Sequence, residues 1–400
     1  MHCTNIFYTF VAIRFSTFFM QYIILSAILA FVITFFAIPV IIEIAKSKKL
    51  FDEPDERKVH KAVIPTLGGL GIFAGFVVAL LMCVPEAAPD ATKLKYFAAS
   101  AIVIFFLGLK DDIIILSASK KFIGQLIAAG IIMRFGNIYI NDMHGFLGIH
   151  AIPHFASIFL TIFAIIVITN SFNLIDGVDG LAASLGLITT IIFGIYFYLA
   201  NPEGNFSIYS VMAFSLAGAI IAFLIYNFSP AKIFMGDTGS LLIGIINSIL
   251  VIKFINVAGS PVNNVFSLTA SPAIGFAVLM IPLFDTMRVF GLRILDRRSP
   301  FSPDRIHVHH YLLDLGFSHK KITFTCVAAT IIFVAAALLL RNLDTTILLG
   351  ILLLMAFAFT GIIYYRRQKI KQPVKKVVEE PEMRTTHKIY GFAPETAQVD

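Results

Sequence analysis

The chain has 400 residues, of which 58% are hydrophobic and only 14% are charged. A soluble globular domain is about 45–50% apolar and about 25% charged. The composition therefore excludes a soluble domain, a disordered chain and a coiled coil, and indicates a polytopic membrane protein. The three cysteines, Cys3, Cys83 and Cys326, are widely separated, so they indicate neither a disulfide framework nor a thiolate metal site.

Eleven apolar stretches are candidates for transmembrane helices, each of which needs about 20 residues. They lie at residues 22–45, 67–85, 94–109, 121–137, 156–170, 180–199, 208–228, 239–257, 270–290, 322–340 and 346–365. The segment 121–137 contains Gly124, Gln125 and Arg134 and is the weakest prediction, but the alternation of the other segments requires it. We predict an all-α polytopic membrane protein with about eleven transmembrane helices.

The two ends of the chain differ from this transmembrane domain, which we place at residues 22–365. Residues 1–21 form an apolar and aromatic N-terminal extension without a small-residue cleavage site. Residues 366–400 are polar and contain several prolines. We predict that this last segment is a disordered tail.

Lysine and arginine are distributed unevenly between the two sets of loops. With the loop at 46–66 placed in the cytoplasm, the cytoplasmic segments carry 24 basic residues and the opposite segments carry four. Because cytoplasmic loops are enriched in Lys and Arg, we predict a multi-pass protein of the inner (cytoplasmic) membrane with a cytoplasmic C-terminus. The asymmetry also explains the net charge of +7, so no nucleic-acid partner is predicted.

Acidic residues gather at the predicted cytoplasmic ends of the spans. They form a pair after the third span, a run after the fifth and a single residue after the seventh: Asp111, Asp112, Asp176, Asp179 and Asp237. Two carboxylates about 4 Å apart repel each other by about 4 kcal/mol at an effective dielectric constant of 20. Oxygen ligands favour Mg²⁺, with Mn²⁺ as the alternative. The pattern suits phosphoryl transfer, in which positioning and charge neutralisation carry the catalysis.

Each of these motifs also has a structural interpretation. The pair Asp111-Asp112 could simply mark the end of a span, and Gly236-Asp237-Thr238-Gly239 could be an ordinary turn. The run from Asn170 through Asn173 and Asp176 to Asp179 has steps of three, which place the groups near one helical face. Such polar residues between apolar spans are costly unless they are used, which favours a function for this run.

The largest predicted inner loop ends in a histidine cluster formed by His307, His309 and His310. Histidine is the commonest metal ligand, so a zinc site is one interpretation. No cysteine lies nearby, and Arg298 and Arg305 would repel a cation. A phosphate-binding role is therefore favoured.

As an ordered set, these motifs resemble the polyprenyl-phosphate N-acetylhexosamine-1-phosphate transferases, a glycosyltransferase 4 type family. The resemblance covers about residues 22–365. It is carried by Lys61 to Gly69 (KAVIPTLGG), Asp111-Asp112, Asn173 to Gly180 (NLIDGVDG), Phe234 to Asp237 (FMGD) and Pro303 to His310 (PDRIHVHH).

The resemblance implies an enzyme that transfers an aminosugar 1-phosphate from a UDP-sugar to a polyprenyl phosphate, with Mg²⁺, and releases UMP. The muramoyl-pentapeptide branch has three consecutive histidines in the last loop, whereas this chain has His307-Val308-His309-His310. This form resembles the bacterial undecaprenyl-phosphate GlcNAc-1-phosphate transferases, which initiate O-antigen, common-antigen or teichoic-acid glycans. GalNAc, QuiNAc and FucNAc relatives share the motifs, and relatives are often homodimers.

The resemblance also implies roles for individual residues. Asp237 would bind Mg²⁺ together with Asp112, and Asp111 would orient or deprotonate the lipid phosphate. The nucleotide and metal pocket would be shaped by Asn173, Asp176 and Asp179, and Phe234 would stack on uracil. The remaining substrate-binding positions would contact the pyrophosphate or sugar: Lys61, Arg305, His307, His309 and His310. Direct attack by the lipid phosphate and a covalent aspartyl intermediate both remain open.

Two other classes of protein compete with an enzyme. A lipid or ion transporter would place ionisable groups deep within its spans, where only Arg134, Lys253 and Arg288 qualify. A non-catalytic scaffold related to the family would have lost some of the motif acids, and all of them are present.

Overall fold

The computed structural model describes residues 2–48, 64–86, 88, 90–200, 207–259, 268–299 and 305–371. This part of the chain is helical apart from a two-stranded hairpin and short connections. In chain order the elements are α1 (His2–Ser47), α2 (Gly68–Cys83), α3 (Leu94–Ile113), α4 (Ala118–Arg134), β1 (Asp142–Phe146), β2 (Ile149–Ala151), α5 (His154–Ile175), α6 (Leu181–Leu199), α7 (Ser207–Asn227), α8 (Gly236–Ala258), α9 (Ser271–Val278), α10 (Met280–Leu295), α11 (Val308–Asp314), α12 (His319–Leu339) and α13 (Thr345–Lys371).

A helix lies at each of the eleven predicted segments, which confirms an all-α membrane protein with multiple spans. By length and composition, eight helices among the described residues can cross a membrane, or nine if the bent pair α9 and α10 is one span. The other two segments correspond to α2, with 16 residues, and to α4, with 17. Their short length explains why the two counts differ.

The predicted span at 270–290 is broken rather than straight. Its halves, α9 and α10, meet at an angle of 86°. Pro282 lies near the start of α10 and has no N–H to donate to the carbonyl of Val278, which favours a break at this point. The bend gives α10 a direction of its own, and it packs against α5 and α12.

Helix α8 lies at the centre of the bundle, and 83% of its most apolar 18-residue segment is buried inside the protein. Glycines let two neighbouring helices approach its first turn closely. A Cβ atom on Gly69 of α2 would lie 2.2 Å from the nitrogen of Gly239, and one on Gly108 of α3 would lie 2.5 Å from the Cα of Thr238. The starts of α2 and α8 and the end of α3 therefore meet at one end of the bundle.

The hairpin of β1 and β2 lies at the opposite end and was not predicted. Its tip is fastened to the start of α13, because the Thr345 hydroxyl donates to the carbonyl of His144 and the Thr346 hydroxyl accepts from the N–H of Leu147. Positive φ angles at His144 and Gly145 allow the irregular register of the two strands.

The terminal helices extend beyond the predicted spans. Helix α1 is continuous from His2, so the predicted extension at 1–21 and the first span form one helix. Helix α13 continues to Lys371, so the first six residues of the predicted disordered tail, 366–371, are helical. The rest of that tail, residues 372–400, lies outside the described residues.

Candidate active site

The N-terminus of α8 is capped by a side chain from α3. Asp112 accepts hydrogen bonds from the backbone N–H groups of Asp237 and Thr238, at 2.7 and 3.1 Å, and from the Thr238 hydroxyl at 2.6 Å. A carboxylate at this position satisfies free N–H groups and faces the positive end of the helix dipole. The turn requires glycine, because Gly236 has a φ of +70° and a Cβ there would lie 2.6 Å from the Asp112 carboxylate.

A lysine from α4 joins the other two acids. The Nζ atom of Lys121 lies 2.5 Å from Asp111 Oδ2 and 2.7 Å from Asp237 Oδ2. The second oxygen of Asp111 accepts the N–H of Leu116 at 2.7 Å, and the second oxygen of Asp237 accepts from Asn173 Nδ2 at 2.8 Å. The ammonium group thus offsets the repulsion between two carboxylates brought together from different helices.

The two acids of the loop after α5, Asp176 and Asp179, have different surroundings. Asp176 is half-buried and lines the central cavity described below. Burial, together with the charges of Asp237, Asp112 and Asp179, raises its pKa to about 8. Asp179 is almost fully buried and holds the loop in place, since it accepts the N–H of Ala231 at 3.2 Å and lies 3.2 Å from His319 Nδ1.

The three histidines lie around the start of α11. His307 donates from Nδ1 to Asp285 Oδ2 at 2.8 Å, which leaves its Nε2 atom for other partners. Asp285 is 3% exposed and also accepts the N–H of Val308 at 3.0 Å. The ring of His309 rests on Gly177, where a Cβ atom would lie 2.7 Å from its Nε2 atom.

Burial keeps two of these imidazoles neutral. It lowers the pKa of His309 to about 3 and that of His310 to about 4, and the neighbouring histidines add to both shifts. Their Nδ1 atoms are buried and have no hydrogen-bond partner among the residues that the structure describes. Buried polar atoms are rarely left unpaired, so this pair of rings is suited to a ligand that supplies acceptors or protons.

One cavity of about 430 Å³ is lined by the three histidines, by Asp176 and by Lys121, the lysine that contacts Asp111 and Asp237. Its floor and walls come from α4, α5, α10 and α11. The lining residues are Leu116, Ala118, Lys121, Phe122, Gln125, Asn170, Asn173, Leu174, Asp176, Gly177, Phe290, Arg293, His307, His309 and His310. The lining includes apolar side chains from α4, α5 and α10 together with charged and polar ones.

The structure brings together most of the residues predicted from the sequence. Asn173, Asp176 and the three histidines line the cavity, and Asp111, Asp112 and Asp237 meet at the start of α8. Phe234 and Arg305 are not among the lining residues; Arg305 is exposed, close enough to His310 for its charge to lower the pKa of that histidine. Lys61 lies outside the described residues.

Several polar residues of the site were not predicted. Lys121 bridges the acids, and Arg293 is 2% exposed and lines the cavity. The amide of Gln125 exchanges hydrogen bonds at 2.7 and 3.2 Å with the amide of Asn170, which belongs to the predicted polar run. Asp285 orients His307. The sequence feature that could have pointed to these residues is the presence of polar side chains in or next to predicted spans. Such side chains are costly in a membrane and often mark functional groups.

A metal ion would depend on substrate for most of its ligands. Among the described residues, no group of three or more His, Cys, Asp or Glu side chains is arranged to hold one. Asp111 and Asp237 supply two carboxylates that share the Lys121 ammonium. This donor set fits Mg²⁺, which uses one or two protein carboxylates with water and phosphate oxygens.

The sequence matches known proteins across this whole site. Residues 94–255 match the family described as Glycosyl transferase family 4. The "Probable undecaprenyl-phosphate N-acetylglucosaminyl 1-phosphate transferase" of Bacillus subtilis is 34% identical, over 79% of this chain and 85% of its own length. The chain belongs to glycosyl transferase family 4. The resemblance noted from the motifs is thereby confirmed, and the protein is a membrane-embedded phosphotransferase.

Other relatives in this family are similar over the same extent. The "Decaprenyl-phosphate N-acetylglucosaminephosphotransferase" of Mycobacterium leprae is 32% identical, over 84% of this chain and 88% of the relative. The "Undecaprenyl-phosphate alpha-N-acetylglucosaminyl 1-phosphate transferase" of Escherichia coli is 28% identical, over 84% of this chain and 89% of the relative. The similarity therefore includes the histidine segment as well as the acids.

Proposed function

We propose that this protein transfers GlcNAc-1-phosphate from UDP-GlcNAc to undecaprenyl phosphate, giving undecaprenyl-pyrophosphoryl-GlcNAc and UMP. The observation that carries the proposal is the cavity of about 430 Å³, whose lining includes Lys121, Asn173 and Asp176 as well as the three histidines. Lys121 and Asn173 also contact Asp237. Relatives named for this reaction on undecaprenyl or decaprenyl phosphate cover most of the chain. The product would begin a cell-envelope glycan.

The shape of the site supports two substrates that differ in polarity. Phe122 of α4 and Phe290 of α10 are among the apolar lining residues, and we expect a polyprenyl chain to enter from the bilayer next to them. Arg293, Lys121 and the histidines line the polar part, where phosphates would lie. Arginine suits phosphate because its planar fork binds two oxygens at once.

We assign Asp237 and Asp111 as the protein ligands of Mg²⁺, with Mn²⁺ as the alternative. The metal would supply charge neutralisation for the donor phosphates. Lys121 would then give up one of its two carboxylates and turn towards the anionic substrates. Asp112 is assigned to positioning, because both of its oxygens already accept hydrogen bonds from α8.

The remaining residues would bind and orient the reacting groups. Asp111 would hold the acceptor phosphate in line with the bond that breaks, and His307 would donate from Nε2 to the pyrophosphate while Asp285 fixes its Nδ1 atom. His309 and His310 are neutral at pH 7 and would take up protons as the anionic donor enters. A covalent intermediate on Asp111 is the alternative to direct attack.

The site would face the cytoplasm of a cell with an inner membrane, where UDP-sugars are made. This orientation rests on the asymmetry of Lys and Arg in the loops. It also gives the C-terminus a cytoplasmic location.

A transport function has one observation in its favour, the broken helix formed by α9 and α10. Discontinuous helices form the substrate sites of many transporters. Here, however, the buried acid Asp285 is engaged by Arg288, His307 and the backbone of α11, so the break serves to position the histidines. We therefore favour the enzyme.

The test uses purified protein, undecaprenyl phosphate, Mg²⁺ and a panel of UDP-N-acetylhexosamines, with UMP release measured for each. We expect UMP only with a lipid acceptor and chiefly with UDP-GlcNAc. Release of UMP with UDP-GalNAc alone would change the sugar and keep the reaction. No UMP with any donor, together with flux of labelled lipid in vesicles, would replace the enzyme with the transporter.

A further inference from the structure

The seven-residue helix α11 carries His309 and His310, yet it is too short to be stable by itself. Isolated helices of fewer than about 12–15 residues are marginal in water. Its position must therefore come from its anchors. At its N-terminal end the anchor is Asp285, which accepts from the N–H of Val308 and from His307.

The second anchor lies at the other end of α11 and comes from the extension of α13. The Nε and NH2 atoms of Arg367 each lie 2.7 Å from Asp314 Oδ2. The guanidinium carbon of Arg367 lies 4.4 Å from the centre of the Tyr311 ring, and that of Arg288 lies 5.3 Å from the same ring. Two arginines from different helices therefore contact one buried tyrosine of α11.

We propose that Arg367, with Asp314 and Tyr311, forms a clamp that positions His309 and His310 for the donor. Arg367 is a positioning residue, because neither it nor its partners on α11, Tyr311 and Asp314, are among the residues that line the cavity. The effect of Arg367 on donor binding rests on the proposed function of the histidines. Its effect on the position of α11 does not.

The geometry favours a specific clamp over general packing. Arg367 is 15% exposed and Asp314 is 29% exposed, so the pair is only partly screened by solvent. Both nitrogens converge on one carboxylate oxygen while the guanidinium stacks on Tyr311, an arrangement that lysine cannot reproduce. Arg366, the preceding residue, is exposed and supplies a matched control.

The experiment compares Arg367→Met with Arg366→Met in the purified full-length protein. The first readout is modification of His309 and His310 by diethyl pyrocarbonate, measured by mass spectrometry without any substrate. We expect the modification rate to rise about fivefold in Arg367→Met, the effect of losing a partly exposed ion pair, and to stay at the wild-type value in Arg366→Met. Equal rates in the two variants would overturn the clamp.

Kinetics and a charge swap make the test specific. We expect Arg367→Met to raise the KM for UDP-GlcNAc about fivefold while leaving the KM for undecaprenyl phosphate unchanged. Arg367→Asp combined with Asp314→Arg should restore part of the protection of the histidines. If the swap restores nothing, the pair does not hold α11 and the proposal is wrong.

Two outcomes separate this proposal from the proposed function. If Arg367→Met fails to fold, Arg367→Lys replaces it, and we expect intermediate histidine reactivity; wild-type reactivity in Arg367→Lys would contradict the clamp. If the wild-type protein releases no UMP with any donor, the proposed function fails. The substrate-free modification rates still decide whether the clamp exists.

Discussion

Asp112 of α3 accepts the backbone N–H of Asp237, the first acid of α8, at 2.7 Å. Two motifs 125 residues apart in the chain are thus joined by a hydrogen bond that also caps α8, the most buried of the long apolar helices in the described part of the chain. The second motif presents its carboxylate towards Lys121 and Asn173 because the first holds its backbone. Asp112 and Asp237 therefore have different tasks despite their similar chemistry.

The first prediction concerns Asp237 and the metal. Asp237→Asn should lower turnover roughly a thousandfold, because a main metal contact contributes several kcal/mol to the transition state and each 1.36 kcal/mol is a factor of ten. The measurement is UMP release over a range of Mg²⁺ concentrations. Excess EDTA should abolish the activity of the wild-type protein, and activity that persists in EDTA would sink the metal assignment.

Lys121 gives a second prediction that needs no turnover. Lys121→Met removes the ammonium between Asp111 and Asp237, so the metal-free protein should have a lower melting temperature than the wild type. Mg²⁺ should restore the melting temperature, because the cation takes over the neutralisation of the two carboxylates. Lys120→Met is the control, since Lys120 is exposed. If the melting temperature of Lys121→Met does not change with Mg²⁺, the lysine and the metal do not neutralise the same two carboxylates.

The third prediction is a pH dependence that comes from Asp176. Its pKa is about 8 in the folded protein and 3.8 ordinarily, so the folded state binds more protons than the unfolded state between these values. The free energy of unfolding contributed by Asp176 is therefore greatest below pH 4 and falls as the pH rises to about 8. The histidines have lowered pKa values, so their contribution is lost only as the pH falls below 6.5.

Between pH 6.5 and 8.5 Asp176 is expected to titrate while His309 and His310 are not. In EDTA, the melting temperature of the wild-type protein should fall across this window, and the slope should be flatter in Asp176→Asn. Thermal unfolding at a series of pH values provides the measurement. Identical slopes in the two proteins would show that Asp176 does not titrate there.

The orientation in the membrane is the fourth prediction. A cysteine at Ser117, next to the acids, should react only with reagents that enter the cytoplasm. A cysteine at Leu147, in the hairpin tip and 66% exposed, should react from outside. Both variants are made in a background without Cys3, since Cys83 and Cys326 are buried. The reverse pattern of labelling would refute the cytoplasmic site.

The apolar segments and the motif acids could be predicted from the sequence because each depends on a local pattern. The positions of the eleven predicted segments follow from runs of apolar residues, and the gathering of acids at one end follows from their place at span ends. The sequence could not distinguish Asp112 from Asp237, because the difference lies in contacts with another helix. The same holds for Asp179, which faces Ala231 and His319 instead of the cavity.

Tertiary contacts also explain the residues that were missed. Lys121 follows a loop and could have been an ordinary basic residue at a membrane edge; only the approach of α3 and α8 makes it a bridge. Asp285 and Arg288 lie within a predicted span, and their polarity there was a usable signal. The break between α9 and α10 could not be predicted, because a continuous run of apolar residues predicts one straight span even where the helix bends by 86°.

The fifth prediction concerns the donor sugar and Arg305. The cavity of about 430 Å³ is at the small end of the range for ligand sites, which is about 300–1,000 Å³. A donor with a pentapeptide would have to extend past Arg305 and the histidines. We therefore expect turnover of UDP-GlcNAc and none of UDP-MurNAc-pentapeptide.

Arg305 is exposed, and its charge acts on His310, which lines the cavity; we expect it to contact a phosphate of the bound donor. Arg305→Lys should raise the KM for UDP-GlcNAc about tenfold, because an ammonium group cannot form the two parallel hydrogen bonds of a guanidinium. Arg298→Lys is the matched control, since Arg298 lies 48% exposed near Asp296, and its KM should match the wild type. Initial rates at saturating undecaprenyl phosphate give both constants. Equal KM values for the two variants would show that Arg305 does not bind the donor. Turnover of UDP-MurNAc-pentapeptide alone would assign the protein to the muramoyl-pentapeptide branch of the family.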